Sequence, residues 1–176
     1  MTLSDDLLLL GIADASVPRR GFWLDTWLRS YPTATDVVCA SDETAAVWQA
    51  RLNQVIDDHK GPVFLVAHGV GVQATLAWVA QASLRTQGRV KGAILAAPIT
   101  LPAQDAREQV LARARAGFPT ALVCSDNDAF CTVAEASRLA QRCGAKLMNQ
   151  GDVGHMTQGL GSWQWGMKLM QEMLLA

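Results

Sequence analysis

Neither sign of charge prevails in this sequence. Its 176 residues carry 15 Lys and Arg against 16 Asp and Glu, a formal net charge of −1. With no basic excess there is no field to gather nucleic acid or anionic lipid, so neither is expected as a partner. The Arg19-Arg20 and Arg113/Arg115 pairs read as solvated faces. Cysteine pairing is missing too. Cys39, Cys124, Cys131 and Cys143 show neither a C-x-x-C nor a zinc spacing, so no metal site is expected from them. They read as reduced thiols of a cytoplasmic chain, at least two of them buried. The opening MTLSDDLLLLGI has an acidic flank and a short apolar run, which fits neither a signal peptide nor a membrane span. Repeats, low-complexity tracts and linkers are absent. What is present is a half-apolar chain of a length that fits one domain, 1–176, around one sizeable core.

Short apolar runs alternate with amphipathic stretches along the whole chain. The runs are Leu7–Leu10, Val37–Ala40, Val63–Ala67, Ala93–Ala97, Ala121–Ser125 and Ala145–Asn149. Most are continuous rather than alternating, the pattern of strands buried on both faces. Between them, Glu43–Asp58 sets Trp48, Leu52, Val55 and Ile56 on one stripe, with Asp42 as the expected N-cap. Helices are also expected over Val72–Leu84, Gln104–Ala116, Thr132–Arg142 and Ser162–Leu174. The last of these carries Trp163, Met167, Met170 and Leu174 at core spacing. Strand and helix in alternation imply right-handed crossovers, hence a three-layer α/β/α domain with a mostly parallel central sheet. The stretch from Pro98 to Phe118 is too short for a lid domain.

In such sheets function gathers in loops beyond the carboxyl ends of the strands. Three loops stand out: Ala67-His68-Gly69-Val70-Gly71, Ser125-Asp126-Asn127-Asp128 and Gly151-Asp152-Val153-Gly154-His155. Each alone has a plain reading as a turn, a cap or a solvated loop. Their order says more. A strand-to-helix elbow, then an acid, then a histidine is the chain order of the α/β-hydrolase triad. His155 would take the proton from a nucleophile while Asp128 holds its tautomer. The N–H of Val70 would form half of an oxyanion hole, and the other donor is expected near Gly11-Ile12, after the first strand. His68 and Gly71 would border the pocket. The nucleophile itself is absent, because the apex is Gly69.

These motifs resemble those of the small serine hydrolases that include retinoblastoma-binding protein 9 and bacterial YdeN-like proteins. The likeness covers nearly the whole chain. The family's Gly-His-Ser-x-Gly elbow falls on Ala67 to Gly71. Its Ser-x-x-Asp-Pro-Tyr motif is similar to Ser125, Asp128, Ala129 and Phe130. Its Gly-His-x-Asn and following Gly-x-Gly-x-Trp patterns resemble Gly154-His155-Met156-Thr157 and Gly159-Leu160-Gly161-Ser162-Trp163. Trp23 and Trp48 also sit where the family carries tryptophans. The chain departs from the pattern at Ala67, Gly69 and Ala129. It departs also at Phe22, where a histidine usually stands, and in a first-strand turn reduced to Gly11. The resemblance implies an α/β-hydrolase fold acting on small carboxylic esters or acyl compounds, with no organic cofactor. It implies no protein partner that any motif here carries.

Glycine at a strained apex relieves a cost of order 1–3 kcal/mol that another residue would carry. It also removes the attacking oxygen, a loss on the order of a million-fold in rate for a triad enzyme. The chain is therefore expected to be inactive or very slow. Ser125, Cys124 and Cys131 lie off the elbow and do not replace the serine. Two accounts of Gly69 follow: a pseudohydrolase that binds a ligand or partner, or a serine hydrolase seen in altered form. A remoter reading is nucleotide binding, since Gly69 to Ala74 satisfies G-x-G-x-x-A between strand and helix. That fingerprint belongs on a first strand with an acid about 20 residues on, and no acid lies between Arg89 and Pro98.

Overall fold

In the computed structural model, which describes residues 7–176, every apolar run becomes a strand. They are β1 (Leu8–Asp14), β2 (Ala34–Cys39), β3 (Val63–Gly69), β4 (Val90–Pro98), β5 (Thr120–Cys124) and β6 (Lys146–Asn149). All pair in parallel in one sheet, ordered β2-β1-β3-β4-β5-β6. The helices are α1 (Trp23–Ser30), α2 (Ala45–Asp58), α3 (Val70–Gln81), α4 (Leu84–Gln87), α5 (Ala106–Leu111), α6 (Val133–Cys143) and α7 (Gln164–Leu175).

Strand side chains alternate between faces, and here both faces are covered. Leu8, Leu10, Ile12, Leu65 and Leu95 pack with Trp48, Leu52, Trp78 and Ala140 under α2, α3 and α6. Leu9, Phe64, Val66 and Ile94 pack on the other side with Trp23, Trp27 and Met170 from α1 and α7. Full burial of such side chains stabilises the fold by roughly 1.5–3 kcal/mol each. Helix α3 is buried along almost its whole length, Val70 to Val79, because sheet, α2 and α5 surround it.

The differences from expectation have local causes. β1 runs four residues past Leu10, so Gly11 and Ile12 lie inside a strand paired on both sides. Gly11 is small for packing, since a Cβ there would meet Leu28 Cδ1 of α1 at 3.0 Å. Helix α2 starts after Thr44, whose side chain accepts from Val47 N, and Asp42 does not cap it. Glu43 instead turns back to accept from Ala40 N at 2.6 Å. The helix expected to reach Leu84 stops at Gln81, and Ser83 then caps the short α4. The Gln104–Ala116 expectation shrinks to the six residues of α5, capped by Asp105. Helix α1 was not foreseen. Its N-cap, Phe22, has no side-chain oxygen, so the usual start signal is missing. No described helix is long and apolar enough to cross a membrane. The reading of the chain's start as neither leader nor span falls partly on residues 1–6, outside the described residues.

Candidate active site

The sheet order reverses at β1. From there the chain crosses to β2 on one side, then returns to β3 on the other. Such a switch point opens a crevice at the carboxyl ends of the two neighbouring strands. Register pairs Ile12 with Ala67, so two residues further on both strands end, at Asp14 and Gly69. Gly69 is the N-cap of α3 with φ 59° and ψ −128°. This is a left-handed φ that disfavours any residue with a Cβ. Gly71 answers a different demand. A Cβ there would strike the carbonyl of Ile12, so the first turn of α3 lies directly on β1. Gly71 therefore packs in the core and does not border the cleft, contrary to expectation.

The acid and histidine loops follow β5 and β6, which are neighbours in the sheet. His155 Nδ1 lies 2.9 Å from Asp128 Oδ2 and 3.1 Å from Oδ1. The Asp128 side chain is 2% exposed and that of His155 is 13% exposed. Asp128 Oδ1 also accepts from Phe130 N at 2.9 Å, so its own loop fixes the carboxylate. Asn127 Oδ1 accepts from Gly154 N at 2.7 Å and ties the two loops together. With Nδ1 on the carboxylate, Nε2 is the ring nitrogen turned away from it, as a general base requires.

His68 joins this pair to the elbow. Its Nε2 lies 2.8 Å from the His155 carbonyl oxygen, so Nε2 carries the proton and donates it. The ring is fully buried, edge-on to Phe22 at 4.9 Å and near Trp23 at 6.1 Å. Its Nδ1 is buried without a hydrogen-bond partner among the described residues. Burial holds the imidazole near a pKa of about 4, well below its ordinary range, and so keeps it neutral. His68 is thus a support beneath His155 and not a pocket residue. Phe22, which stands where the related motif has histidine, closes the support from the side.

Tryptophans fix the rest of the histidine loop. Trp23 Nε1 donates to Met156 O at 3.0 Å and Trp27 Nε1 to Ser162 O at 2.6 Å. Trp27 and Trp163 stack with centroids 5.7 Å apart, and Trp23 meets Trp163 edge-on. Met156, next to His155, holds φ 59°, a strained value for a side-chain-bearing residue. The unforeseen α1 therefore holds the histidine loop, packing with Met156 and Trp163 on one face of the sheet.

Sequence reasoning missed Asp14. Its Oδ2 accepts from Val70 N at 3.0 Å, and its Oδ1 accepts from Ser16 N at 2.8 Å and from Ser16 Oγ at 2.6 Å. The side chain is buried. A Cβ at Gly69 would collide with Asp14 Oδ2 and lie 3.1 Å from its Cβ. The Val70 amide, expected to be a free oxyanion donor, is therefore bonded to a carboxylate. Gly11 and Ile12 supply no second donor, because the ladder of β1 occupies them. The first loop amide aimed at this point belongs to Ser16. An acidic residue closing a buried strand at the switch point was the signal available in the sequence.

His155 lines a cleft of about 420 Å³ with Val17, Phe22, Ile99, Phe130 and Thr157. All four cysteines are buried and free. Burial raises the thiol pKa of Cys124 and Cys131, the opposite of what a nucleophile needs. Ser125 Oγ donates to Asn127 Oδ1 at 2.8 Å and is itself buried. Among the described residues, no three His, Cys, Asp or Glu side chains converge as metal ligands.

Known proteins bear on the family and the fold. The serine hydrolase family model matches residues 11–172. A search of curated protein sequences gives no match. Among solved structures, a YdeN-like hydrolase of Pectobacterium atrosepticum is similar at a TM-score of 0.84 and 21% identity, over 98% of this chain and 92% of that one. The ydeN gene product of Bacillus subtilis gives 0.73 and 16%, over 96% and 99% of the two chains. Est1E from Butyrivibrio proteoclasticus gives 0.69 and 12%, over 96% and 88%. At such identities the structures speak for the fold, a three-layer α/β/α hydrolase architecture. The family model spans nearly the whole chain, elbow, acid and histidine included, and the chain belongs to the serine hydrolase family.

Proposed function

We propose that this chain is a serine hydrolase scaffold whose acyl-transfer site is silent and whose cleft binds a small ester, acyl compound or related ligand. The observation that carries the reading is the juxtaposition of a paired Asp128–His155 with an elbow whose apex is glycine. Asp128 orients His155 as the base of a Ser-His-Asp arrangement would be oriented. No hydroxyl or reactive thiol stands at the apex to receive its attention. Water activated by His155 is the remaining nucleophile, and without a covalent step and a free oxyanion donor its rate is low. A cleft of about 420 Å³, with apolar walls from Val17, Phe22, Ile99 and Phe130 and polar groups from His155, Arg20, Ser16 and Gln158, suits a small ligand.

The nucleotide reading loses support at the same place. The α3 N-terminus, where a phosphate would sit, already holds the Asp14 carboxylate. A second anion there would meet like charge.

Hydrolysis of p-nitrophenyl butyrate tests the silence. The expected rate is within a few fold of buffer, with no burst. Turnover that disappears in His155→Ala would overturn it. Binding is tested by titrating butyrate and ethyl butyrate while the His155 imidazole signals are followed by NMR. Saturable shifts of His155 are expected with at least one probe; no shift with either would remove the ligand-binding half of the reading.

A further inference from the structure

We infer that Asp14 is a built-in anion that fills the oxyanion hole, and that Asp14 and Gly69 silence the site as a coupled pair. Acyl transfer places its developing oxyanion between the amide that follows the nucleophile and an amide from the loop after a neighbouring strand. In this chain those two positions are Val70, just after the apex, and Ser16, just after β1. Both amides already donate to one carboxylate: Val70 N to Asp14 Oδ2 at 3.0 Å and Ser16 N to Oδ1 at 2.8 Å. The Ser16 hydroxyl adds a third donor at 2.6 Å. The carboxylate also lies at the N-terminus of the twelve-residue α3, where the helix dipole favours negative charge.

Three features make this a plug and not a passing contact. Charge-assisted bonds to a carboxylate are stronger than those to an ester carbonyl, so a substrate oxygen does not displace it readily. The carboxylate is covalently part of the chain, hence always at high effective concentration. It is also buried, with its strand held on both sides by β2 and β3.

The plug needs the glycine. A Cβ at position 69 would land on Asp14 Oδ2 and stand 3.2 Å from Asp14 Cγ. A serine placed at the apex is therefore strained against the carboxylate, which its bonds to Val70 N, Ser16 N and Ser16 Oγ hold in place. With Asp14 in place, the apex is glycine for reasons of space as well as backbone angle. The two residues block different parts of the chemistry, one the nucleophile and the other the electrostatic stabilisation. Reversing only one leaves the other in force.

This inference rests on reading the elbow as a serine-type site, and its test separates the two. Four proteins are compared in p-nitrophenyl butyrate hydrolysis: the native chain, Gly69→Ser, Asp14→Ala and the double variant. Losing an oxyanion donor costs about 10²–10³-fold in rate. Only the double variant is expected to give a burst of p-nitrophenolate, with turnover at least about 100-fold above Gly69→Ser, and to lose both with His155→Ala added. Gly69→Ser turning over within a few fold of the double variant would overturn the inference.

A stability cycle needs no chemistry. The loss of thermal midpoint caused by Gly69→Ala is measured in the native and Asp14→Ala backgrounds. It is expected to be clearly smaller in the second, where the colliding carboxylate is gone. Equal losses would refute the contact and the inference with it. Unequal losses with a folded but silent double variant would instead bring down the serine-site reading, and the blockade with it.

Discussion

Acid should loosen this fold through one buried ring. His68 is fully buried, and its desolvation pulls the pKa from 6.5 down to about 4. The unfolded chain binds the proton near 6.5, so between pH 6.5 and 4 it holds more protons than the folded chain. Stability therefore rises with pH across that window. His68 makes no demand above about pH 6.5, and its cost grows as pH falls, levelling off below about 4. A shift of that size corresponds to about 3 kcal/mol, at 1.36 kcal/mol per unit. Most of it, about 2–3 kcal/mol, is already felt at pH 4.5. For a domain with a total stability of about 5–15 kcal/mol this is a large fraction.

The assay is urea denaturation of the native chain and of His68→Gln between pH 7.5 and 4.5. Glutamine keeps an N–H to offer the His155 carbonyl but does not titrate. Other titrating groups are present in both proteins and cancel in the difference. His68→Gln should start less stable at neutral pH, because its amide fills the aromatic niche poorly. It should then lose about 2–3 kcal/mol less than the native chain by pH 4.5. Parallel stability curves for the two proteins would refute the reasoning, and with it the assignment of His68 as a neutral support.

Further outcomes follow from single contacts. Gly71→Ala puts a methyl group against the Ile12 backbone carbonyl, which cannot turn aside as a side chain can. A loss of about 3 kcal/mol or more is expected, against the usual 1–3 for overpacking, and chemical denaturation measures it. Thr132→Ala removes the capping box of α6, in which Thr132 and Glu135 bond each other's backbone amides. A loss of about 1 kcal/mol should result. Trp27→Phe keeps an aromatic ring but drops the indole bond to Ser162 O, so hydrogen exchange should speed up in residues 151–163 while β1 and β3 stay protected.

The sheet was legible because its signal is redundant. Each parallel strand is buried on both faces and writes itself as a continuous apolar run. Elements that depend on one residue were harder. Helix α1 lacked a capping side chain, and Asp42 looked as good a cap as Thr44 until Glu43 claimed the turn. At the site, Gly69, Asp128 and His155 stood out because loop positions after strands carry chemistry, and two of them do meet at 2.9 Å. Gly71 was misplaced because α3 starts directly on the Ile12 carbonyl, whereas Gly11, Ile12 and His68 share another reason. How far a strand continues decides whether a residue faces the crevice or the ladder, and apolar runs mark strand ends poorly. Asp14 gave only the weak signal of an acid at a strand end, because its meaning comes from register. Only the pairing of Ile12 with Ala67 brings its carboxylate level with the elbow.

Asp128 and His155 beside an apex glycine favour at first an altered serine hydrolase or a recent loss of the nucleophile, since an unused pair is free to drift. The contacts argue otherwise. Asp128 is buried and accepts from Phe130 N and from His155, so replacing either partner strands a polar group away from water. The His155 carbonyl is the acceptor that His68 needs at the base of the elbow. The pair thus belongs to the scaffold of its two loops, and folding alone can preserve it. Asp14 points the same way. The Val70 amide is bonded to its carboxylate, which leaves no room for a serine Cβ. Asp14 and Gly69 thus fit one another at adjoining strand ends, and under the proposed reading the silence would rest on both residues and not on the apex alone.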